Sequence, residues 1–283
     1  MDLWNAGDAR WQVAIHFRAA PDQNAVRALV ATAAGAKAAK ALVFERITAK
    51  DWVRESLRGL KPVAAGRFAV HGAHDRARVP DNRIGIEIEA ALAFGTGHHG
   101  TTRGCLLALD RLCKSMSRPM RVPRPRGRER SAGVLDLGTG SGILAVAAAR
   151  ALRRRVLATD IDPTAVRAAH ANARLNRAGT MIEVVKAEGV SAGKIRRRAP
   201  FALVFANILL GPLQRLAAPL QRLTAPGCRI VLSGLLPVQA NAALAAYRAC
   251  PLERRIDLDG WTTLVLVRRA GRRRAVARRR PRS

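Results

Sequence analysis

The chain has 283 residues, 49% of them apolar, which is typical of a globular protein large enough for one large domain and one small one. It lacks the basic start and apolar run of a secretion signal, and no stretch approaches about 18 uninterrupted apolar residues. We therefore expect a cytoplasmic protein that does not contact a membrane. The net charge of +30, from 50 basic and 20 acidic residues, indicates that a polyanionic partner must be considered.

Much of the positive charge is concentrated in two segments. Residues 114–130 carry seven basic residues and one acid, and residues 268–283 carry nine arginines and no acid. The first segment is too rich in proline and arginine to be a buried strand, so we predict a basic linker at 114–130 and a disordered basic tail at 269–283. Both are candidates for contact with RNA, and a coding bias toward arginine in an alanine-rich chain is the alternative explanation.

The cysteines and histidines predict no metal site. The cysteines are scattered, with no C-x-x-C pair and no histidines at ligand spacing, so we expect reduced and mostly buried thiols. They are Cys105, Cys113, Cys228 and Cys250. His98 and His99 are adjacent, and sequence neighbours rarely ligate one metal ion without further ligands.

Residues 1–66 are predicted to form a small α+β domain. Residues 10–17 alternate apolar and polar side chains as a half-buried strand does, and a helix is predicted at about 21–34. Residues 42–44 are predicted to form a second strand and residues 50–60 a second helix. The region has no constellation of catalytic side chains, so we expect it to dock the substrate.

A literal dinucleotide fingerprint, G-x-G-x-x-G, is formed by Gly95, Gly97 and Gly100. Such a fingerprint needs a helix and then a buried strand that ends in an acid about 20 residues further on. A helix is predicted at 101–113, but the basic linker follows it where the strand should be. The fingerprint is therefore predicted to be false, with an independent phosphate site as the alternative.

Residues 134–144 are predicted to be a buried strand, a glycine turn and the start of a helix. Glycines let the backbone approach a ligand because they lack a Cβ atom, and a helix N-terminus offers N–H groups to an anionic group. A second predicted strand ends at Asp160, whose carboxylate can accept hydrogen bonds from two ribose hydroxyls. We therefore expect a ligand that contains a ribose and an anionic group.

The spacing of the glycines distinguishes between nucleoside ligands. Gly138, Gly140 and Gly142 follow Asp136 as D-x-G-x-G-x-G, whereas the dinucleotide pattern would need a glycine in place of Ile143. The turn resembles the first motif of the seven-stranded methyltransferases that use S-adenosylmethionine. This resemblance implies S-adenosylmethionine as methyl donor without a metal, and an unliganded turn is the alternative.

Strands and helices alternate regularly over residues 131–268, which predicts an α/β fold with a doubly wound sheet. The predicted strands are 134–136, 156–160, 182–185, 201–206, 229–232, 254–258 and 262–267. The predicted helices are 142–152, 163–177, 212–223 and 238–248. We thus predict a Rossmann-like seven-stranded methyltransferase domain with a small N-terminal α+β domain. Between them, residues 67–113 supply connecting strands and a loop and helix that cover the cofactor.

Several short motifs outside the glycine turn are typical of one known family. They are Ala93-Phe94-Gly95-Thr96-Gly97, His99, Thr101-Thr102, Asp160-Ile161-Asp162-Pro163, Ala206-Asn207-Ile208-Leu209, Gly211-Pro212-Leu213 and Leu232-Ser233-Gly234. Over most of residues 50–240 the chain resembles the PrmA-type ribosomal protein methyltransferases. Members of this family methylate amino groups of the large-subunit stalk-base protein, protein eleven of that subunit. The sequence departs from the family pattern at 98–100, which read His-His-Gly instead of Thr-His-Pro.

The resemblance implies a set of residues that bind the methyl donor. Thr102, Gly138, Gly140, Asp160 and Asn207 are expected to bind S-adenosylmethionine, with Thr102 at its methionine end and Asp160 at its ribose. Asn207 follows the fourth predicted strand, where open α/β sheets bind ligands, and is expected to face both the cofactor and the incoming amine. A turn or helix-cap asparagine is the alternative for Asn207.

The implied reaction is methyl transfer to lysine ε-amino groups and the N-terminal α-amino group of a large-subunit ribosomal protein. The amine must be neutral to react, although lysine is mostly protonated at neutral pH. His99 is the candidate catalytic residue beside Asn207 for accepting that proton, with a histidine that only orients its loop as the alternative. Residues 208–210 are Ile-Leu-Leu, without the aromatic residue that grips flat groups, which favours a tetrahedral amine.

Other functions remain open from the sequence alone. The charge of +30 suggests an RNA methyltransferase, although the lack of aromatic residues near Asn207 for base stacking argues against it. A different protein-lysine methyltransferase of the same fold and a non-enzymatic ribosome-binding protein are further alternatives. We expect a monomer whose basic linker and tail contact the ribosome or RNA.

Overall fold

The computed structural model describes residues 2–5, 11–15, 17, 19–45, 62–88, 100–115 and 133–269. The chain divides into two compact units, Met1–Trp52 and Val53–Ser283. The predicted helix at 50–60, the segment that contains His99, and nearly all of the basic linker and tail lie outside the described residues.

The first unit contains a two-stranded sheet and two helices. Strands β1 (Asp2–Asn5) and β2 (Trp11–Ala14) pair antiparallel. Helices α1 (Gln23–Ala34) and α2 (Ala36–Lys40) follow, and α2 was not predicted from the sequence. Asp22 caps α1, because its carboxylate accepts hydrogen bonds from the backbone of the first turn.

The strand predicted at 42–44 is wrong, because these residues form no strand in the structure. The guanidinium of Arg27, on α1, donates to the carbonyls of Ala39 and Leu42 at 2.7 and 3.1 Å. It also lies 5.2 Å from the centroid of the Phe44 ring. One arginine side chain therefore contacts this segment from the helix, which the local apolar pattern could not reveal.

The second unit begins with a small three-stranded sheet. Its strands are β3 (Val63–Ala65), β4 (Phe68–His71) and β5 (Ile84–Glu87), with β3 antiparallel and β5 parallel to β4. A 3-10 helix at Ala73–Arg78 connects β4 and β5. Asn176, which follows the helix at Pro163–Leu175, joins this sheet to that helix. Its side chain accepts from the Glu87 N–H at 2.9 Å and donates to the Glu87 carbonyl at 2.6 Å.

The large sheet has seven strands flanked by helices. The strands are β6 (Val134–Leu137), β7 (Val156–Asp160), β8 (Ile182–Lys186), β9 (Phe201–Asn207), β10 (Thr224–Leu235), β11 (Leu252–Leu258) and β12 (Trp261–Val267). The helices are α3 (Gly100–Ser115), α4 (Ile143–Leu152), α5 (Pro163–Leu175), α6 (Gly193–Arg198), α7 (Leu210–Arg222) and α8 (Ala240–Ala246). A 3-10 helix at Pro237–Gln239 precedes α8.

The strand order is β8-β7-β6-β9-β10-β12-β11. Strands β6 to β10 are parallel, and β12 is antiparallel to both of its neighbours. This order confirms the predicted doubly wound, Rossmann-like sheet.

Apolar side chains form a core on each face of this sheet. One core includes Leu106, Leu109, Ile143, Val146 and Val134. The other includes Leu213, Leu220, Tyr247, Ile230 and Leu232. Full burial of each large side chain contributes roughly 1.5–3 kcal/mol to the stability of the folded state. The two cores therefore stabilise the sheet that carries the loops at its edges.

Candidate functional site

The candidate site lies where the strand order reverses, between β6 and β9. The carboxyl ends of β7, β6, β9 and β10 lie side by side. In β6, Leu137 is opposite Thr159 of β7 and Ala206 of β9, and Asn207 of β9 is opposite Ser233 of β10. Four residues therefore form one row across the carboxyl edge of the sheet. In spatial order they are Ser233, Asn207, Gly138 and Asp160. Open α/β sheets bind ligands at such an edge, outside the point of reversal.

The glycine turn after β6 requires glycine at Gly138. Its φ of 68° lies in the left-handed region, and a Cβ atom there would stand 2.4 Å from Cγ2 of Ile208. The Gly138 N–H donates to the carbonyl of Thr159 at 2.8 Å, which fixes the turn to the end of β7. The turn therefore packs directly against the loops that follow both neighbouring strands.

Asp136, in β6, stabilises the glycine turn through hydrogen bonds. Its Oδ2 atom accepts hydrogen bonds from the Thr139 hydroxyl at 2.6 Å and from the Ala145 N–H at 3.0 Å. Burial raises the pKa of this carboxyl to about 6, and the two hydrogen bonds oppose that rise. Sequence reasoning assigned Asp136 no role of its own. The feature that could have indicated its role is a carboxylate inside an otherwise apolar strand, two residues before the turn.

The Asp160 carboxylate lies at the end of β7 and faces the glycine turn. Its Oδ2 atom accepts from the Gly140 N–H at 2.9 Å, and its Oδ1 atom accepts from the Asp162 N–H at 3.0 Å. Each oxygen can accept a further hydrogen bond, because a carboxylate has about four lone-pair sites. The side chain is half-buried, so it is oriented by the backbone and still accessible to a ligand.

Asn207 connects the row to the start of α3. Its side-chain N–H donates to the Thr101 hydroxyl at 3.4 Å. The buried Ser233 hydroxyl donates to the Thr101 carbonyl at 3.2 Å and lies 2.8 Å from the Thr263 hydroxyl. Thr102 is next along α3 and is buried. Residues about one hundred positions apart in the sequence thus meet at one edge of the sheet.

The structure brings five of the six predicted site residues to this edge. They are Thr102, Gly138, Gly140, Asp160 and Asn207. The sixth, His99, lies outside the described residues. No role was predicted for Thr101 or Ser233, although both stand in motifs that carry the family resemblance. Their contacts require the fold, because no local pattern shows that α3 begins beside β9 and β10.

The residues at this edge fit S-adenosylmethionine. Gly138 provides a backbone surface without a Cβ atom, and Asp160 provides two oriented carboxylate oxygens for a ribose. Asn207 and Thr101 provide polar groups on the other side of the turn. Within the described ranges, no three acidic, cysteine or histidine side chains are grouped so that they could hold a metal ion. No helix in the same ranges is long and apolar enough to cross a membrane.

A seven-stranded sheet in this order, with a glycine turn facing an acid at the point of reversal, is typical of the α/β methyltransferases. The profile of one family, described as Ribosomal protein L11 methyltransferase (PrmA), matches residues 5–269. The chain belongs to this family.

Individual relatives agree with this assignment. The chain is 54% identical over 263 residues to a protein from Rhodopseudomonas palustris named ribosomal protein L11 methyltransferase. This alignment covers 92% of the chain and 85% of that protein. A protein of the same name from Bradyrhizobium diazoefficiens is 54% identical over 92% of the chain and 84% of that protein. The crystal structure of a ribosomal protein L11 methylase from Lactobacillus delbrueckii matches with a TM-score of 0.58 and 27% identity, over 72% of the chain and 96% of that protein.

Proposed function

We propose that this protein transfers methyl groups from S-adenosylmethionine to lysine ε-amino groups and the N-terminal α-amino group of ribosomal protein L11, in the cytoplasm. The observation that carries the proposal is the row of Asn207, Gly138 and Asp160 at the reversal of strand order. It occurs in a chain 54% identical to proteins named for methylation of L11.

Each residue of the proposed cofactor site has a physical role. Gly138 and Gly140 let the backbone approach the cofactor, and Asp160 accepts hydrogen bonds from the ribose hydroxyls. Thr102 binds the methionine end, at the start of α3. These roles are supported by the positive φ values of both glycines, by the orientation of the Asp160 carboxylate and by the position of Thr102 beside Thr101.

Asn207 is the proposed catalytic residue that positions the amine. When bound, S-adenosylmethionine supplies an electrophilic methyl group on a sulfonium ion. The Asn207 side chain donates to Thr101, which leaves its carbonyl oxygen to accept a hydrogen bond from the incoming amine. Alignment of the amine and exclusion of water then provide much of the rate. His99 is proposed to accept the proton that the amine must lose.

The residues that follow Asn207 in the sequence favour an amine over a nucleobase. The residues that follow it are aliphatic: Ile208 is half-buried against Gly138, and Leu209 is exposed. Aromatic side chains that stack on bases are the usual means of binding an unpaired nucleotide, and none stands in the segment after Asn207. These features support a flexible tetrahedral amine as the methyl acceptor.

We also propose roles for the remaining parts of the chain. Residues 1–66 dock the substrate protein, residues 67–113 cover the cofactor, and residues 131–268 form the catalytic domain. The basic linker at 114–130 and the tail at 269–283 contact the ribosome or its RNA, because their arginines match a phosphate backbone. The protein acts as a monomer.

The proposed reaction is tested with purified protein, S-adenosylmethionine and unmethylated L11, followed by mass spectrometry of L11. We expect methyl groups on lysines and on the N-terminal amine. Asn207→Ala should lower kcat by about a hundredfold, the cost of a misplaced reactant. Asn241→Ala, at an exposed position of α8, is the matched control and should keep full activity. L11 left unmodified by the wild type, or full activity in Asn207→Ala, would contradict the proposal.

A further inference from the structure

Exposed apolar side chains are concentrated at the carboxyl edge of the large sheet. Four of them lie on the loops that follow β7, β9 and β10. They are Ile161, Leu209, Leu236 and Val238, which are 60%, 71%, 44% and 86% exposed. We call these four residues the apolar rim. In the described part of the second unit, the other exposed large apolar residues are Leu175 and Leu252, at the opposite edge of the sheet.

The loops that carry the rim are in contact with the candidate site. Ile161 follows Asp160, whose carboxylate binds the glycine turn. Leu209 follows Ile208, whose side chain packs on Gly138. The Ile208 carbonyl would stand 2.6 Å from a Cβ atom at Gly234, so the loop after β9 also rests on the end of β10. The rim is therefore continuous with the place where an amine must arrive.

Acidic residues are concentrated at the same edge, although the whole chain carries a net charge of +30. Five acidic residues of 133–269 lie at this edge: Asp160, Asp162, Glu188, Asp257 and Asp259. Asp257 and Asp259 pair with Arg255 and Arg103, and the exposed Lys186 ends β8 at the same edge. Asp136 is buried within β6. The other two, Glu183 and Glu253, stand near the starts of β8 and β11 and pair with Arg198 and Arg229. Asp162 and Glu188 are exposed and have no ion pair with a described residue. A lysine-bearing segment is complementary to this edge, whereas a nucleic acid is not.

We propose that the apolar rim docks the segment of the substrate protein that carries the reactive lysine. Apolar side chains that flank the lysine cover Ile161, Leu209, Leu236 and Val238, and the exposed acids Asp162 and Glu188 attract the positive charge of the segment. The inference rests on the proposed function, because the lysine must reach Asn207. Exposed apolar side chains gathered around a site, unlike those scattered singly over a surface, favour a role in binding.

The test compares two double variants of the full-length protein. Leu209→Ser with Val238→Ser removes the most exposed part of the rim, and Leu175→Ser with Leu252→Ser is the matched control at the opposite edge. For the rim variant we expect KM for unmethylated L11 to rise by about tenfold or more, as when buried anchors of an interface are truncated. Its kcat and its affinity for S-adenosylmethionine should stay within about twofold of the wild type. The control variant should keep the wild-type KM.

Other occupants of the rim would give different results. Loss of S-adenosylmethionine affinity in the rim variant would show that the rim contacts the cofactor or a cofactor-covering segment, and would overturn the proposal. A change in molecular mass in solution would show that a second copy of the chain covers the rim, and would overturn it too. An unchanged KM in an active enzyme would reject the docking role alone. A wild type that leaves L11 unmethylated would reject the proposed function together with it.

Discussion

Two carboxylates next to the glycine turn after β6 lie in different environments. Asp160 is half-buried, and each of its oxygens accepts one backbone N–H. Asp136 is 1% exposed, and one of its oxygens accepts both the Thr139 hydroxyl and the Ala145 N–H. The first lies in the proposed cofactor site and the second stabilises the turn. We therefore expect substitution of Asp160 to affect cofactor binding and substitution of Asp136 to affect folding.

Asp160→Ala should abolish measurable binding of S-adenosylmethionine. Hydrogen bonds to a charged group contribute about 1.5–3 kcal/mol each, so loss of the two ribose contacts lowers affinity by roughly a hundredfold or more. Isothermal titration calorimetry measures this directly. Asp162→Ala is the control, since Asp162 caps α5 by accepting from the Thr164 N–H at 2.8 Å. That variant should lose about 1 kcal/mol of stability and keep its affinity. Equal affinity loss in both variants would contradict the role of Asp160.

Asp136 should make stability fall as pH rises. Its pKa in the folded protein is about 6, against 3.8 for the ordinary carboxyl, so the folded state holds the proton more tightly than the unfolded state. The stabilisation from this proton is fully present below pH 3.8 and is lost as pH rises through about 6. Asp136→Asn removes this dependence while an amide oxygen still accepts the same hydrogen bonds.

Urea unfolding at a series of pH values measures the effect of Asp136. We expect the free energy of unfolding of Asp136→Asn, relative to the wild type, to increase by an amount on the order of 1 kcal/mol or more between pH 4 and pH 7. A constant difference across this range would show that Asp136 has an ordinary pKa in the folded state.

At the scale of elements, the turn after β6 and the loop after β9 constrain each other. The Ile208 side chain occupies the space where a Cβ atom of residue 138 would stand, and the Ile208 backbone occupies the corresponding space at Gly234. The loop that carries Asn207 and Ile208 is therefore held between two glycines on neighbouring strands. A side chain at either glycine would push this loop away from the site.

Gly138→Ala should destabilise the protein and weaken cofactor binding. Its cost combines left-handed backbone strain of about 1 kcal/mol with displacement of Ile208, typically about 1–3 kcal/mol more. Gly227→Ala is the matched control, since Gly227 has a φ of 78° and no atom within 4 Å of its added Cβ. In urea unfolding, Gly227→Ala should lower the free energy of unfolding only by the cost of the backbone strain. Ile208→Ala should restore part of the stability to Gly138→Ala, and identical losses in the two glycine variants would refute the packing argument.

The sequence was informative about long periodic elements and less so about short ones. All seven strands of the large sheet were predicted near their observed positions. Apolar runs covered on both faces are distinctive for the central strands, whereas β11 is largely exposed and was found only from the regular alternation of elements. Strand β3 and helix α6 were missed, since three and six residues carry too little periodicity. In the site, motifs indicated Gly138 and Asp160. The contact of Asn207 with Thr101 depends on how α3 packs against β10 and β12, which no local pattern specifies.

At the scale of the whole molecule, the two edges of the large sheet have different surfaces. The carboxyl edge carries the apolar rim and most of the acids of this domain. The amino edge contains a cleft of about 1020 Å³, whose lining includes Arg153, Arg155, Lys194 and Arg198. This polarity places most of the positive charge of the folded domain away from the proposed site of the lysine. Any contact with RNA should therefore leave the carboxyl edge accessible.

The basic tail should provide salt-dependent binding to ribosomal RNA. Replacing Arg278, Arg279 and Arg280 with glutamate removes phosphate contacts, so the slope of log K against log salt should become shallower by about one per lost contact. Fluorescence anisotropy with a labelled RNA duplex measures the slope. Arg215, Arg222 and Arg254, all exposed on the folded domain, provide a control with the same change in charge. Equal slopes for the two triple variants would argue against a role for the tail.

The most direct test of the account gives the protein radiolabelled S-adenosylmethionine and large ribosomal subunits that lack methylation, and then separates RNA from individual proteins. We predict label on L11, at lysines and the N-terminal amine, and loss of this label with Asp160→Ala. Label in the RNA, label on a different protein, or no incorporation into any component would contradict it.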